Sequence, residues 1–172
     1  MKVKVVEREI MDPLAEIDRV KLDLNPIPYD FEFVSLLNNT KPGADIILAF
    51  LGENLGKRNF INIKKPAGAP ATTEQIKTAA KGEIALLALG DCGSCSSWVI
   101  LDAIRLEKMG TPTISICSDQ FSAFAHELAK SHGAEHLQII SVEHPIAGLS
   151  NEEVRTKAMA ILPSLRYILQ IP

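Results

Sequence analysis

The feature that most constrains this chain is an alternation. Five short apolar runs, at 33–37, 60–63, 83–89, 113–117 and 137–142, are separated by stretches with helical spacing. The central runs are apolar nearly throughout, as in strands covered on both faces. The intervening stretches carry recognisable ends. Ile47, Phe50, Leu51 and Leu55 share a face, with Pro42 near its start and Gly56 as a stop. Thr72 and Gln75 form a capping box ahead of Ile76, Ala79 and Ala80. Phe121, Phe124, Ala125, Leu128 and Ala129 repeat at helical intervals up to Gly133. Ser150 and Glu153 cap a last helix with Val154, Ala158, Ile161, Leu162 and Leu165 on its apolar face, which Pro163 should kink or divide.

Alternating strands and helices need a parallel sheet joined by right-handed crossovers. The expected fold is therefore α/β, a three-layer, doubly wound, five-stranded parallel sheet of Rossmann-like type. Five strands suit flavodoxin-like order better than a six-stranded dinucleotide fold. No Gly-x-Gly-x-x-Gly opens the first helix and no Walker lysine motif occurs, so a nicotinamide or P-loop reading has no support. Residues 1–32 stand apart, punctuated by Met11-Asp12-Pro13 and Asn25-Pro26-Ile27-Pro28. They read as an N-terminal arm packed on the domain or on a partner subunit, with 33–172 as a single α/β domain.

Composition narrows the function classes. A net charge of −3 offers no basic footprint for nucleic acid and no polybasic patch for a membrane. Aromatic residues are only 5% of the chain, too sparse for base-stacking platforms. No apolar run approaches the roughly 20 residues that span a bilayer, and the start lacks the apolar stretch of a signal peptide. The expected compartment is the cytosol. Three cysteines there argue against a disulfide framework and for reactive or metal-binding thiols.

In a doubly wound sheet, ligands bind beyond the carboxyl ends of the strands. The segments expected there are Asn38-Asn39-Thr40-Lys41-Pro42, Lys64-Lys65-Pro66, Asp91-Cys92-Gly93-Ser94-Cys95-Ser96-Ser97, Cys117-Ser118-Asp119 and Glu143-His144-Pro145. The cysteine loop is the most informative. Its helix should begin near Ser94, placing Cys92 at an N-terminus whose free N–H groups and dipole stabilise a thiolate. Cys95, one turn on, can reach the same sulfur as a resolving thiol or a second ligand. Ser94, Ser96 and Ser97 offer donors to a bound oxyanion. Asp102, Arg105 and Lys108 are expected on the helix's solvated face. Asp119 reads most simply as the N-cap of the next helix.

These residues resemble the UGSC family, named for a motif in which selenocysteine or cysteine precedes Gly-Ser-Cys. Cys92-Gly93-Ser94-Cys95 stands in that motif, with Cys92 in the slot that selenocysteine can occupy. The resemblance covers roughly residues 36–149. It includes Asn38-Asn39-Thr40-Lys41-Pro42, Lys65-Pro66, Gly90-Asp91, Glu107-Lys108-Met109-Gly110, Thr111-Pro112-Thr113, Ser118-Asp119-Gln120-Phe121 and His144-Pro145-Ile146-Ala147-Gly148-Leu149. More distantly the chain is similar to the selenoprotein B subunits of glycine, betaine and sarcosine reductases, though it lacks their companion domain. A position that accepts selenium or sulfur implies a nucleophile or redox centre at Cys92.

The function expected is a thiol-dependent oxidoreductase acting on a small, anionic substrate. Cys92 is the nucleophile, Cys95 the resolving thiol, and His144 or Asp119 a proton carrier. Asn38, Lys41, Lys65, Ser94 and Ser96 are the expected substrate-binding residues. No cofactor is expected to be bound, and an external thiol would reset the pair. One alternative is a zinc, soft-metal or iron–sulfur site on Cys92, Cys95 and Cys117. Another is a small-molecule-binding subunit of a larger complex or homo-oligomer.

Overall fold

The computed structural model describes residues 21–171. Strand and helix alternate five times: β1 (Phe33–Asn38), α1 (Ala44–Glu53), β2 (Asn59–Lys64), α2 (Thr73–Ala79), β3 (Ile84–Gly90), α3 (Gly93–Glu107), β4 (Thr113–Ser118), α4 (Asp119–Ser131), β5 (Gln138–Val142) and α5 (Asn151–Leu169). All strand pairs are parallel and the sheet order is β2-β1-β3-β4-β5. This is the flavodoxin-like order, with the chain reversing direction across the sheet between β1 and β3.

The three layers follow from the side-chain alternation of buried strands. Every residue of β3 and β4 is buried. Leu86 faces one core with α1 and α5, and Leu87 the other with α2, α3 and α4. Each such leucine contributes about 1.5–3 kcal/mol of burial free energy. The edge strands are partly exposed, as the period-2 pattern of a half-covered strand requires. Against β4, the register of β3 shifts between Ala88 and Gly90, just before the cysteine loop.

Both anticipated capping boxes are present, at Thr72/Gln75 and Ser150/Glu153. Three expectations about helices are corrected. First, α5 runs undivided through Pro163, which lies on its exposed side, where water can solvate the carbonyl that proline leaves without a donor. Second, the buried face of α4 is Ala125 and Ala129; Phe124 is 44% exposed and Phe121 half-buried, because small residues let this helix lie close to the sheet. Third, Ser118 is the residue preceding α4, and Asp119 opens its first turn.

Residues 21–32 cross the amino ends of the strands. Leu22 N–H donates to the Gly133 carbonyl at 2.9 Å, and Leu22 and Leu24 pack on the second core. Asn25 bonds Glu107, and Phe31 enters the first core. The carboxyl ends, with the cysteine loop, lie on the opposite side.

Candidate functional site

Cys92 is the N-cap of α3, with extended backbone (φ −167°, ψ 167°). Its sulfur accepts the backbone N–H of Cys95 at 3.4 Å. A helix start leaves four N–H groups without intrahelical partners, so a sulfur acting as cap sits where negative charge is most stabilised. In the structure Cys92 and Cys95 are joined as a disulfide, their Cα atoms 5.3 Å apart. Cys95 is buried and Cys92 half-buried, leaving Cys92 the sulfur that meets solvent. Ser94 is exposed, its Oγ 3.7 Å from the Cys92 sulfur. Ser97 returns its hydroxyl to the Gly93 carbonyl at 2.9 Å.

Gly90, which precedes this loop, is compelled by crowding. A Cβ there would lie 2.5 Å from the Cys117 sulfur and 2.8 Å from Ser96 Oγ. Ser96 and Cys117 are thus neighbours beneath the loop, both fully buried. Burial pushes the Cys117 thiol up to about 12, only partly opposed by the adjoining Gly90 backbone and Ser96 hydroxyl. It stays protonated at neutral pH. Among the described residues no three His, Cys, Asp or Glu side chains are grouped to hold a metal ion. Ser96 lies under the site rather than at its mouth.

The loop after β5 completes the site. His144 Nδ1 lies 2.9 Å from Asp91 Oδ1 and 3.3 Å from Ser118 Oγ. Asp91 Oδ2 accepts the N–H groups of Ile146 at 3.3 Å and Ala147 at 3.0 Å. Burial alone would raise the Asp91 carboxyl. The bonds from Ala147, Ser118, Ile146 and His144 outweigh it and hold the group below the usual carboxylate range. The Asp119 carboxylate accepts His144 N–H at 3.1 Å, so it anchors the loop's backbone. Phe121 meets the imidazole edge-on, ring centroids 6.0 Å apart. The imidazole side chain keeps 32% of its surface exposed.

The β1 loop forms the opposite wall. Asn38 is buried and its Oδ1 takes the Thr40 N–H at 2.6 Å. The neighbouring Asn39 is fully buried and clasps Leu89 through both its N–H and its carbonyl, at 2.9 and 2.8 Å. It also accepts Lys41 N–H at 3.1 Å, which fixes the backbone that carries the half-buried Lys41. Gly43, at φ +88°, caps α1 where a Cβ would strike Ile146 at 2.5 Å, so the His144 loop packs directly on α1.

Lys65 departs from expectation. Its ammonium turns inward to Asp102 Oδ2 at 2.9 Å and the Ala69 carbonyl at 2.7 Å, with neither side chain of the pair exposed. Asp102, expected on a solvated face, also bonds Arg105 and the Ala71 N–H. Burial lowers the Lys65 pKa, with Asp102 opposing. Lys65 thus braces the loop after β2 against α3 and presents no charge to a ligand. The sequence marks Asp91 and Asn39 only by their position at strand ends beside polar loops.

Fold and site together define a three-layer α/β protein that carries a Cys-x-x-Cys pair at the head of its central helix, with a histidine bound to the carboxylate of the residue that precedes the pair. The chain belongs to the UGSC family, whose profile it matches over residues 9–171. No curated protein matches it. Among solved structures it is similar to a short-chain flavodoxin associated with a non-canonical PDU bacterial microcompartment (11% identity, 77% of this chain and 97% of that one, TM-score 0.40). It is also similar to a Streptococcus pneumonia TIGR4 flavodoxin (14%, 79% and 97%, TM-score 0.44). A third is the FMN-dependent cysteine decarboxylase SpaF (6%, 77% and 98%, TM-score 0.41). No helix among the described residues is long and apolar enough to cross a membrane.

Proposed function

We propose that the protein is a thiol-dependent oxidoreductase that reduces a small anionic substrate, with Cys92 as nucleophile and Cys95 as resolving thiol. The observation that carries this reading is the Cys92 sulfur as N-cap of a 15-residue helix, accepting the N–H of its own disulfide partner. In the reduced state that sulfur is the preferred thiolate, for the N–H groups and the dipole favour charge there and not at buried Cys95. Lys41 and the helix start attract the substrate's negative charge. Lys65 takes no part, since its charge is already paired.

The Cys92 thiolate displaces a leaving group X from an electrophilic atom E of the substrate, giving an S–E bond and X⁻. The Cys95 thiolate then attacks the Cys92 sulfur. The S–E bond breaks with its electron pair going to E, which takes a proton from His144 and leaves as E–H. Two thiols lose two electrons to form the disulfide, and the substrate gains them. An external dithiol, available in the cytosol, restores the pair by exchange.

Alkylation of the reduced protein as a function of pH tests the assignment, comparing Cys92→Ser with Cys95→Ser. Cys92 is expected to react readily at pH 6 and at least about tenfold faster than Cys95. Two thiols that both titrate near the free value of about 8.5 overturn the reading.

A further inference from the structure

The pair formed by Asp91 and His144 does more than close a loop. A carboxylate held ionised can only accept hydrogen bonds. Its partner atom, His144 Nδ1 at 2.9 Å, must therefore carry a hydrogen. The neutral imidazole is left with Nε2 as its unprotonated nitrogen. The other carboxylate oxygen is fully engaged by two backbone donors, Ile146 N–H and Ala147 N–H, so Asp91 cannot rotate away. Asp91 is itself buried and immediately precedes Cys92 in the chain. The backbone of His144 is tethered independently, by Asp119.

We infer that Asp91 is a positioning residue that fixes the Nδ1–H tautomer of His144, so that Nε2 takes the proton of the Cys92 thiol and later returns it to the product. This rests on the thiol-dependent reading above. Proton accounting closes: the S–H bond breaks, Nε2–H forms, and the imidazolium stabilised by Asp91 gives the same proton to E after the S–E bond breaks. The second thiol proton, from Cys95, leaves with X.

An asparagine at position 91 provides a sharp test because of the two backbone donors. They demand an acceptor, so the amide oxygen stays with Ile146 and Ala147, and the amide NH₂ is presented to His144 Nδ1. That turns Nδ1 into an acceptor and moves the proton to Nε2. Reduced protein labelled with nitrogen-15 in its histidines would be compared as wild type, Asp91→Asn and His144→Gln, the last serving to assign the His144 signals. The wild type is expected to show Nδ1–H and bare Nε2, and Asp91→Asn the reverse. Alkylation of Cys92 by iodoacetamide at pH 7 is expected to slow at least about tenfold in both variants, by similar factors. The inference is overturned if wild-type His144 carries its neutral proton on Nε2, a result that needs no variant to fold. It is overturned equally if Asp91→Asn leaves the tautomer unchanged, or reverses it without slowing Cys92. A wild-type Cys92 that reacts like a free thiol sinks the oxidoreductase reading itself, whatever tautomer His144 shows.

Discussion

Single residues decide whether charge in this protein serves chemistry or architecture. Lys65 and Asp102 serve architecture. Asp102→Leu strands a buried ammonium and should cost about 3–5 kcal/mol, whereas Lys65→Met combined with Asp102→Leu should recover most of that loss. Urea unfolding of the two variants measures both, and a single variant as stable as wild type would refute the pairing. Asp91 has a second, pH-linked consequence. Its folded pKa lies below the unfolded value of about 3.9, so its stabilisation is complete above that pH and is lost as pH falls through the folded value. Asp91→Asn should therefore be less stable at pH 7 and show a shallower stability loss below pH 4, read from melting temperature against pH. Cys92 and Cys95 stood out in the sequence because two thiols share one Gly-Ser loop at a strand end. Lys65 misled because a lysine after a strand looks the same whether its partner is water or a carboxylate on a helix distant in sequence. Periodicity also put Asp102 outside, since nothing local marks a buried acid.

At the scale of elements, the junction of β3 and α3 shows how tightly the loop is built. Strand and helix were readable from apolar runs, capping boxes and glycines. The packing beneath the turn was not, because it joins Gly90, Ser96 and Cys117 from three separate elements. Cys117 is best understood as filling that junction, with its thiol protonated. Gly90→Ala should overpack the junction and destabilise the fold by about 1–3 kcal/mol. Adding Cys117→Ala removes the nearest obstructing atom and should restore part of the loss, while Ser96, 2.8 Å from the added methyl at its Oγ, keeps the restoration incomplete. Thermal unfolding of the single and double variants gives the coupling directly. Purely additive effects would show that the sulfur is not what limits this turn.

For the molecule as a whole, the segment before β1 and the cysteine loop lie at opposite ends of the sheet. The alternation of runs was enough to infer a doubly wound sheet, and with it the edge where polar loops, the cysteine pair among them, gather at the carboxyl ends of the strands. It was silent on how the residues before β1 meet the amino ends, because Pro-punctuated segments carry no period. The structure answers for 21–32 through one carboxylate. Glu107 is buried. Its Oε1 accepts Thr113 N–H and Oγ–H at 2.7 and 2.9 Å, and its Oε2 accepts Asn25 N–H and Nδ2–H at 2.9 and 2.8 Å. Asn25 also donates to the Glu107 carbonyl at 2.6 Å, so one side chain ties this segment to the end of α3. Asn25→Ala removes two of these bonds and leaves a buried carboxylate short of a donor, at a cost of about 1–3 kcal/mol. Hydrogen exchange should then accelerate at Leu22 and Asn25, whose amides bond Gly133 and Glu107. The Cys92 alkylation rate should stay unchanged, since the segment lies across the sheet from the cysteine loop. A variant in which exchange and thiol reactivity shift together would mean that the two ends are mechanically coupled.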